Sequence, residues 1–374
     1  MRLLICAGGT GGGVYPALAV LQALSDLEPD WQAEGALLWI GGEGGMETEI
    51  ISRQHIEFQT IPAAGLHGVG LKNLPGNLSK LLQGYLKAGR IIQDFEPDVL
   101  FFTGGYLAVP AAFAGRSVPS LVFMPDIEPG LAIKTIARLA ERIALSVERS
   151  RHFTPPGKSV TVTGYPVRSQ MLSWTREQAL QTLDLNPDLP VLLVFGGSKG
   201  ARSINRALSS ILPDLLEEMQ ILHIAGKLDW EEISSKRDLL PDSYQRNYRI
   251  YPFLHEEMGA ALRSADLVVS RSGASILGEY PLFELPAILV PYPYAWRYQK
   301  TNASYLADRG AAVIVQDEDL AERLLPEIRS LMGDPDLREG MKAALRGMAR
   351  PDAARQIAKL LLDLTEKKRG GVSV

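Results

Sequence analysis

A single cysteine, Cys6, occurs among the 374 residues of the sequence. One cysteine cannot form a disulfide within the chain, and its place inside an apolar run predicts a buried, reduced thiol. Runs of 18 apolar residues are also absent, so we expect no membrane-spanning helix. The first residues have neither the charged region nor the cleavage site of a signal peptide. Together these absences predict a cytoplasmic protein.

A large net charge is absent as well, because the formal charge of −4 argues against general nucleic-acid binding. Acidic residues are missing from 58 to 93, where four basic residues occur: Lys72, Lys80, Lys87 and Arg90. The same window has apolar residues at roughly helical spacing, namely Leu74, Leu78, Leu81, Leu82, Tyr85 and Leu86. Such a helix fits the surface of an anionic membrane, contacted by the Leu66–Arg90 region. It equally fits a core-facing helix with a solvated basic side.

The length of the chain and its hydrophobic share of 46% predict about two domains, each with a packed core. Short apolar runs alternate with helical patterns, which predicts an α/β protein with parallel strands and crossover helices. The first half offers the strands MRLLICAGG, ALLWIGG, PDVLFFTGG and PSLVFMP. The second half offers PVLLVFGG, ILHIAGK, YRIYPF, DLVVSRSG and PAILVPYP. The segment SVTVTGYPVRSQM between them is typical of a linker, because Gly164 and Pro166 interrupt it.

A faint internal repeat indicates that the two halves are similar. The segments LLICAGGTGGG and VLLVFGGSKGA share an apolar strand, a glycine pair and a small-residue turn, 188 positions apart. We therefore expect two doubly wound parallel-sheet domains, residues 1–165 and residues 166–344. A charged helical stretch at about 345–368 is expected to pack back on the first domain.

A glycine-rich loop in the second half, Gly-Gly-Ser-Lys-Gly-Ala at residues 196–201, follows a buried strand and leads into a helix. Glycines allow the backbone to approach a phosphate closely, and the free amides at a helix start attract an anion. Ser198 adds a hydroxyl donor. The same pattern also occurs in strand-to-helix turns that bind nothing, so the loop alone leaves both interpretations open.

A second loop of the same half, SRSGASILGE from Ser270 to Glu279, also follows an apolar run. The backbone amides of Ala274, Ser275 and Ile276 are expected to be available to a ligand. Glu279, one turn deeper, can accept two hydroxyls of a ribose. A solvated helical glutamate is the alternative interpretation of Glu279.

Three further polar side chains extend this candidate nucleotide-sugar site. Gln299 and Asn302 carry amides that can read sugar hydroxyls, although Asn302 could equally cap the following helix. Arg168, in the expected linker, is suited to clamp a diphosphate. An exposed arginine paired with a surface carboxylate is the alternative.

The first half carries two glycine-rich loops of its own. Residues 8–13 contain too much glycine for a simple turn, which predicts a closely approaching ligand, and Pro16 suits the first position of the helix that follows. Tyr106 follows Gly104 and Gly105 at the end of an expected strand. That end of a strand lies at the sheet edge where open parallel sheets bind ligands.

In order and spacing these motifs resemble those of the MurG family, the lipid-linked N-acetylglucosaminyltransferases of peptidoglycan synthesis. The matching segments, which cover nearly the full length, are GGTGGGVYPALAV, AAGLHG, FTGGYLAVP, TGYPVR, GGSKGARSIN, SRSGASILGE and LPAILVPYPYAWRYQKTNA. The resemblance implies a GT-B fold, in which two Rossmann-like domains face each other across a cleft. It implies a donor site mostly in the second domain and an acceptor site mostly in the first.

The resemblance also implies roles for individual residues. The donor-binding positions are Thr10, Gly11, Gly12, Arg168, Ser198, Leu254, Ala274, Ser275, Ile276, Leu277, Gly278, Glu279 and Gln299. Arg168 and Ser198 correspond to diphosphate contacts, and Leu254 to a position beside the uracil. Glu279 corresponds to the ribose carboxylate, and Gln299 to the glutamine that reads N-acetylglucosamine. On the acceptor side stand Gly13 and Tyr106.

Three positions depart from the family pattern. The family has histidine where Gly13 stands, and the segment FMPDIEPGL has Asp126 where the family's His-Glu-Gln-Asn segment ends in asparagine. Tyr294 replaces a further histidine.

A glycosyl transfer requires a base that deprotonates the acceptor oxygen. Asp126 is the candidate, because it is an acid expected after a strand of the first domain, and His67 is a second candidate.

The implied reaction is an inverting transfer of N-acetylglucosamine from UDP-N-acetylglucosamine to undecaprenyl-diphosphate-linked N-acetylmuramoyl-pentapeptide, by a peripheral enzyme at the cytoplasmic face of the cell membrane. No metal-ligand spacing or Asp-x-Asp pair occurs, so we expect a metal-independent reaction without a cofactor. Two alternatives stay open: a related transferase with a different lipid acceptor, and a non-catalytic UDP-sugar-binding protein. The basic apolar stretch favours a lipid-borne acceptor.

Overall fold

The computed structural model describes residues 1–8, 11–31, 35–43, 47–63, 74–197, 200–294 and 298–370. The chain forms two compact units, of which unit 1 is Met1–Arg168 with Pro351–Val374 and unit 2 is Ser169–Arg350. The boundaries expected from the sequence, after residues 165 and 344, lie a few residues earlier. Each unit contains one parallel sheet with its crossover helices.

Unit 1 contains a seven-stranded sheet. Its strands are β1 Leu3–Cys6, β2 Leu37–Gly42, β3 Glu57–Ile61, β4 Val99–Phe102, β5 Ser120–Met124, β6 Arg142–Leu145 and β7 Ser159–Val162. Its helices up to residue 168 are α1 Gly11–Leu27, α2 Glu47–Ser52, α3 Leu74–Phe95, α4 Ala108–Ala114 and α5 Leu131–Leu139. The strand order is β3-β2-β1-β4-β5-β6-β7, and all neighbouring strands are parallel.

The core of unit 1 explains why its central strands are apolar at every position. β1, β4 and β5 are buried along their whole length, because the strands of a parallel sheet covered by helices have no solvent side. Ala88, Ile91 and Phe95 of α3 belong to the cluster of buried side chains that covers the sheet. The continuous runs LLIC, VLFF and SLVFM are the sequence consequence of this burial.

Unit 2 contains a six-stranded sheet. Its strands are β8 Val191–Phe195, β9 Gln220–Ile224, β10 Tyr248–Tyr251, β11 Leu267–Ser270, β12 Ala287–Leu289 and β13 Ala312–Ile314. Its helices are α6 Ser169–Leu172, α7 Arg176–Thr182, α8 Arg202–Leu216, α9 Trp230–Asp238, α10 Asp242–Asn247, α11 Met258–Ser264, α12 Glu279–Phe283, α13 Tyr298–Ala307, α14 Leu320–Gly333 and α15 Pro335–Met348. The strand order is β10-β9-β8-β11-β12-β13, again with parallel neighbours.

Four strands were not expected from the sequence: β3, β6, β7 and β13. The interpretation of the segment from Ser159 as a linker was wrong, because its first four residues form β7, which pairs with β6. β3, β7 and β13 are edge strands of their sheets, and their side chains are only partly buried. A half-exposed edge strand does not need a continuous apolar run, so its sequence signal is weak.

The helical stretch near the end of the chain is divided between the two units. α15 belongs to unit 2, whereas the last helix, α16 Ala353–Gly370, packs against α1 of unit 1. Pro351 lies between the two helices and cannot continue the first one. Arg142 at the start of β6 also bonds Asp363 of α16, with 2.9 Å between Nη1 and Oδ2.

All strands of a parallel sheet end at the same edge, and this edge collects the motifs singled out in the sequence. In unit 1 the sheet order reverses between β1 and β4, and in unit 2 it reverses between β8 and β11. Open α/β sheets bind ligands outside the carboxyl ends of their strands at such reversals. The loops after β1 and β4, and those after β8 and β11, are the four glycine-rich segments of the sequence.

Candidate active site

The glycine loop after β8 is a turn that only glycine can make. A β-carbon at Gly196 would collide with the amide nitrogen of Ala201. Gly200 has a φ of +79°, and a β-carbon there would lie 2.6 Å from the Ala225 carbonyl oxygen. The backbone therefore folds tightly before α8 begins at Arg202. Ser198, the expected hydroxyl donor, lies outside the described residues.

The loop after β11 begins with a 3₁₀ turn, Ala274–Leu277, and not directly with an α-helix. The amide of Ile276 donates to the Gly273 carbonyl at 3.2 Å, so the expectation that this amide is available to a ligand was wrong. A helix start leaves its first amides without intrahelical partners. Within the described part of the chain, the amides of Ala274 and Ser275 have no acceptor.

The remaining residues of this loop divide into buried and accessible positions. Ile276, Leu277 and Gly278 are buried, and the side chains of Ile276 and Leu277 belong to the hydrophobic interior beneath the loop. Glu279 is the first residue of α12 and is half-buried at the same sheet edge. Leu254 is buried in the segment after β10, also at this edge. The predicted donor positions of this loop, together with Leu254, thus lie at one edge of the sheet of unit 2.

Gln299 and Asn302, both on α13, have different surroundings. The Oε1 atom of Gln299 accepts a hydrogen bond from the Tyr292 amide at 2.9 Å, and Gln299 is half-buried. Asn302 is fully buried and donates from Nδ2 to the Ser272 carbonyl at 3.2 Å. Asn302 lies inside α13, so it does not cap the helix, and its buried side chain holds the loop after β11.

Arg271 was not recognised in the sequence, although it follows a buried strand directly at the ligand-binding edge. Its guanidinium donates from Nη1 to Asp317 Oδ1 at 2.5 Å and to the Val290 carbonyl at 3.2 Å. Its Nη2 donates to Ser203 Oγ at 2.7 Å. The guanidinium carbon also lies 5.2 Å from the ring centroid of Tyr292.

The first glycine loop of unit 1 leads directly into α1, which begins at Gly11. Gly11, Gly12 and Gly13 therefore form the first turn of the helix, and Thr10 lies outside the described residues. Pro16 lies within α1, which corrects the expectation that it occupies the first helical position. Without an N–H it cannot donate to the carbonyl four residues earlier, that of Gly12. Thr103 Oγ1 donates to the Gly13 carbonyl at 2.5 Å and fastens this turn to the end of β4.

The loop after β4 lies against the first glycine loop. Gly104 and Gly105 have φ values of +144° and +87°, a region that other residues rarely adopt. Tyr106 follows them, with 48% of its side chain exposed at this edge. An aromatic ring with this exposure can cover a ligand that binds on the glycine turn.

Asp126 and Arg168 lie at the same edge of unit 1. Asp126 is half-buried in the loop after β5, whose Met124 and Pro125 carbonyls accept bonds from Ser146 Oγ at 3.2 and 2.8 Å. The guanidinium carbon of Arg168 lies 4.6 Å from the ring centroid of Tyr15 in α1. Arg168 is thus the last residue of unit 1 and not part of a free linker. The other candidate base, His67, lies outside the described residues.

A buried carboxylate beneath the first glycine loop, Glu47, was missed in the sequence. Its side chain is fully buried, and Oε1 accepts from the Gly42 amide at 2.7 Å. A β-carbon at Gly8 would collide with the same oxygen. Burial and, to a smaller extent, the Glu47 charge raise the pKa of the Cys6 thiol, which is itself fully buried. The only sequence signal was an acid at the start of a short helix.

The basic apolar region includes α3, which has two different apolar faces. Gly84, Ala88, Ile91 and Phe95 are buried against unit 1. On the other side, Leu78, Leu82, Tyr85 and Leu86 keep 43 to 60% of their side chains exposed. The buried face confirms the interpretation as a core-facing helix, and membrane contact by the exposed face stays a prediction. Residues 64–73, which include part of the Leu66–Arg90 region, lie outside the described residues.

Family models match both halves of the chain. Residues 3–145 match the glycosyltransferase family 28 N-terminal domain, and residues 191–357 match the glycosyltransferase family 28 C-terminal domain. The crystal structure of Acinetobacter baumannii MurG is similar, with a TM-score of 0.71 and 26% identity over 97% of this chain and 99% of that chain.

Two proteins that are similar to this chain over nearly its full length are named for the same enzymatic activity. A protein of Roseiflexus sp. (strain RS-1) is 38% identical over 424 aligned residues, 99% of this chain and 96% of that protein. A protein of Desulforamulus reducens is 36% identical over 96% of this chain and 97% of that protein. Both are named UDP-N-acetylglucosamine–N-acetylmuramyl-(pentapeptide) pyrophosphoryl-undecaprenol N-acetylglucosamine transferase.

Two parallel sheets of seven and six strands, matched by the two domain models of one family, define a glycosyltransferase of the GT-B fold. The similarity to curated relatives extends over nearly the whole length of the chain. The chain belongs to the MurG family.

Proposed function

We propose that this enzyme transfers N-acetylglucosamine from UDP-N-acetylglucosamine to N-acetylmuramyl-(pentapeptide) pyrophosphoryl-undecaprenol, the reaction named for its relatives. The observation that carries the proposal is the donor edge of unit 2. There a glycine turn, two amides without acceptors among the described residues, Glu279 and Gln299 lie at the carboxyl ends of the strands. This arrangement has the parts that a nucleoside diphosphate sugar requires.

Each part of the donor edge suits one part of the donor. The tight glycine loop and the first turn of α8 suit the diphosphate, because backbone amides at a helix start stabilise an anion. Glu279 suits the ribose hydroxyls, and the buried Leu254 suits the uracil ring. Gln299 suits the sugar. Its Oε1 accepts a hydrogen bond from the Tyr292 amide, and its Nε2 has no acceptor among the described residues, so it can donate to a sugar oxygen.

The parts of unit 1 suit the acceptor and the leaving group. Arg168 is a proposed diphosphate contact, because a guanidinium can pair with two phosphate oxygens as the bond to the sugar breaks. Gly13 and Tyr106 belong to the proposed acceptor side, and Asp126 is the proposed base that takes the proton of the acceptor hydroxyl. Attack by that hydroxyl on the anomeric carbon, with UDP leaving from the opposite face, inverts the configuration.

The experiment follows radiolabel from UDP-N-acetylglucosamine into lipid. Purified protein is given the undecaprenyl-linked acceptor in one reaction and a glycolipid without the muramoyl-pentapeptide in another. Label in the first product alone supports the proposal. Label in the second alone indicates a different lipid acceptor, and donor binding without transfer to either indicates a UDP-sugar-binding protein without catalysis.

We also propose that the exposed face of α3 docks this enzyme on an anionic membrane, at the cytoplasmic side where its nucleotide donor is found. Leu78, Leu82, Tyr85 and Leu86 recur at helical spacing and are exposed to water. Lys80, Lys87 and Arg90 lie on the same helix, where lysine and arginine are attracted by anionic lipids. None of the helices in the described ranges is long and apolar enough to cross a membrane.

Vesicle co-sedimentation tests this docking face. Leu82→Gln and Leu86→Gln should each weaken binding to phosphatidylglycerol vesicles about tenfold, because each removes a leucine from the lipid interface. Leu228→Gln and Leu239→Gln are matched controls, since both leucines are exposed but belong to unit 2. Equal losses in both pairs, or equal binding of all variants, would exclude α3 as the docking face.

A further inference from the structure

Arg271 joins the loop after β11 to three other segments at the donor edge of unit 2. It follows β11, and its Nη1 reaches the Val290 carbonyl at the end of β12 and Asp317 beyond β13. Its Nη2 reaches Ser203 in the first turn of α8. Only 9% of the arginine side chain and 21% of the Asp317 side chain are exposed. The largely buried guanidinium thus holds these segments together.

One end of this hydrogen-bond network is Ser203, which lies in the helix turn where the diphosphate is proposed to bind. Ser203 Oγ accepts from Arg271 and donates to Asp317 Oδ1 at 2.8 Å, so the three side chains form a closed triangle. α8 has a second, separate anchor, because Asn205 Nδ2 donates to the Ala225 carbonyl and to Asp229 Oδ2, both at 2.9 Å. The helix therefore keeps one anchor when the triangle is lost.

The other end of the network lies beside the proposed sugar contact. The Arg271 guanidinium stacks on the Tyr292 ring, and the Tyr292 amide donates to Gln299 Oε1. Of the two polar atoms of the Gln299 amide only Oε1 can accept a hydrogen bond, so this bond determines which way the side chain is turned. Its Nε2 is left as a hydrogen-bond donor for oxygens of the sugar, such as a hydroxyl or an acetamido carbonyl.

We propose that Arg271 is a positioning residue for donor selection: through Tyr292 it holds Gln299 in the orientation that recognises the sugar, relative to the α8 turn that seats the diphosphate. This rests on the proposed donor site. Arginine suits the task, because its planar fork can bond Ser203, Asp317 and a carbonyl at once. A site that is preorganised in this way selects among sugars at a lower entropic cost.

The test measures donor selection with Arg271→Lys, which keeps the charge but loses the fork. The affinity for UDP-N-acetylglucosamine should fall about tenfold, and its preference over UDP-N-acetylgalactosamine and UDP-glucose should fall by a similar factor. The affinity for UDP should change less than about threefold, because the glycine loop and the Asn205 anchor of α8 remain. Ser203→Ala should show the same pattern in a weaker form.

A double-variant comparison separates positioning from a general structural role. In a Gln299→Ala background, Arg271→Lys should leave the sugar preference unchanged, because the residue it positions is gone. Arg309→Lys is the matched control, since Arg309 lies over Tyr305 of unit 2 with the guanidinium carbon 3.7 Å from the ring centroid, and its side chain bonds none of the described residues of these loops. It should leave both affinities as they are.

Two results would overturn the proposal. An equal fall in the affinities for UDP and UDP-N-acetylglucosamine would mean that Arg271 serves the diphosphate or the fold alone. An undiminished effect of Arg271→Lys in the Gln299→Ala background would mean that it acts on the sugar by another route. These binding readouts need no acceptor, so a wild-type protein that selects the donor but transfers nothing would contradict the transferase function and leave this inference standing. If Arg271→Lys fails to fold, the same two comparisons are made with Ser203→Ala.

Discussion

The carbonyl oxygen of Gly8 lies 2.7 Å from the position that a β-carbon at Gly105 would take. The ends of β1 and β4 therefore approach each other through two backbones without a side chain between them. Gly13 has different surroundings, because a β-carbon there would lie 3.6 Å from the same oxygen, in ordinary contact. The departure from the family's histidine at position 13 is therefore not required by the backbone.

We expect Gly105→Ala and Gly13→Ala to have opposite effects on stability. Gly105→Ala meets both a close contact and a φ of +87°, and should cost about 2 kcal/mol or more. Gly13→Ala lies inside α1 and should be neutral or stabilising by up to about 1 kcal/mol. Denaturant unfolding of the two variants measures the difference. A loss of stability in Gly13→Ala as large as in Gly105→Ala would contradict this account of the loop.

Asp126→Asn should abolish transfer, because an amide cannot take the proton of the acceptor hydroxyl. UDP binding should change little, since Asp126 is not among the proposed nucleotide contacts. Glu128→Gln is the control on the same loop, where Glu128 lies 4.0 Å from Lys134 Nζ. Single-turnover assays and UDP titration measure the two effects. Transfer at the wild-type rate by Asp126→Asn would remove Asp126 as the base.

Glu47→Ala should destabilise the protein strongly. The change leaves the Gly42 amide without its acceptor and opens a cavity beneath the first glycine loop, which together cost about 2 to 4 kcal/mol. Glu49→Ala on the same helix is the matched control. Glu49 pairs with Arg53 at the surface, and such pairs contribute little. Comparable unfolding midpoints for the two variants would show that Glu47 is not a structural support.

His223 should make unit 2 less stable as the pH falls. Burial lowers the pKa of His223 to about 3, against the opposing charge of Asp229, from an ordinary value of 6.5. His223 therefore binds a proton below about pH 6.5 in the unfolded chain, but only below about pH 3 in the folded chain. Stability contributed by the neutral ring is complete above pH 6.5 and is lost across this interval, by about 2 kcal/mol at pH 5.

The hydrogen bonds of His223 indicate which ring nitrogen carries the hydrogen in the neutral ring. Asn205 donates from Nδ2 to Ala225 and Asp229, so its Oδ1 faces His223 Nε2 at 3.0 Å and accepts a hydrogen bond from the Nε2–H group. His223 Nδ1 then accepts from the Tyr248 hydroxyl at 2.7 Å. His223→Gln should flatten the difference in unfolding free energy between pH 7 and pH 5. If wild type and variant lose stability in parallel, another group titrates.

Much of the fold could be predicted from local sequence. Every inner strand except β6 was recognised, because a covered parallel strand is apolar throughout, and the glycine loops were recognised because glycine is suited to such turns. The strands β3, β7 and β13 were missed because edge strands carry no such requirement. Pro351 divides the last helices between the units, a choice that depends on which surface each helix covers.

The sequence alone indicated the class of the protein, because its glycine turns, helix starts and strand ends are local features that follow one family's order; the donor positions that it suggests stay predictions. Only the tertiary structure decided what lies behind them. Glu47 meets Gly8 across an interval of 39 positions, and Arg271 meets Ser203 across 68. Such contacts depend on the order of the strands in the sheet, and a local pattern of residues does not contain that order.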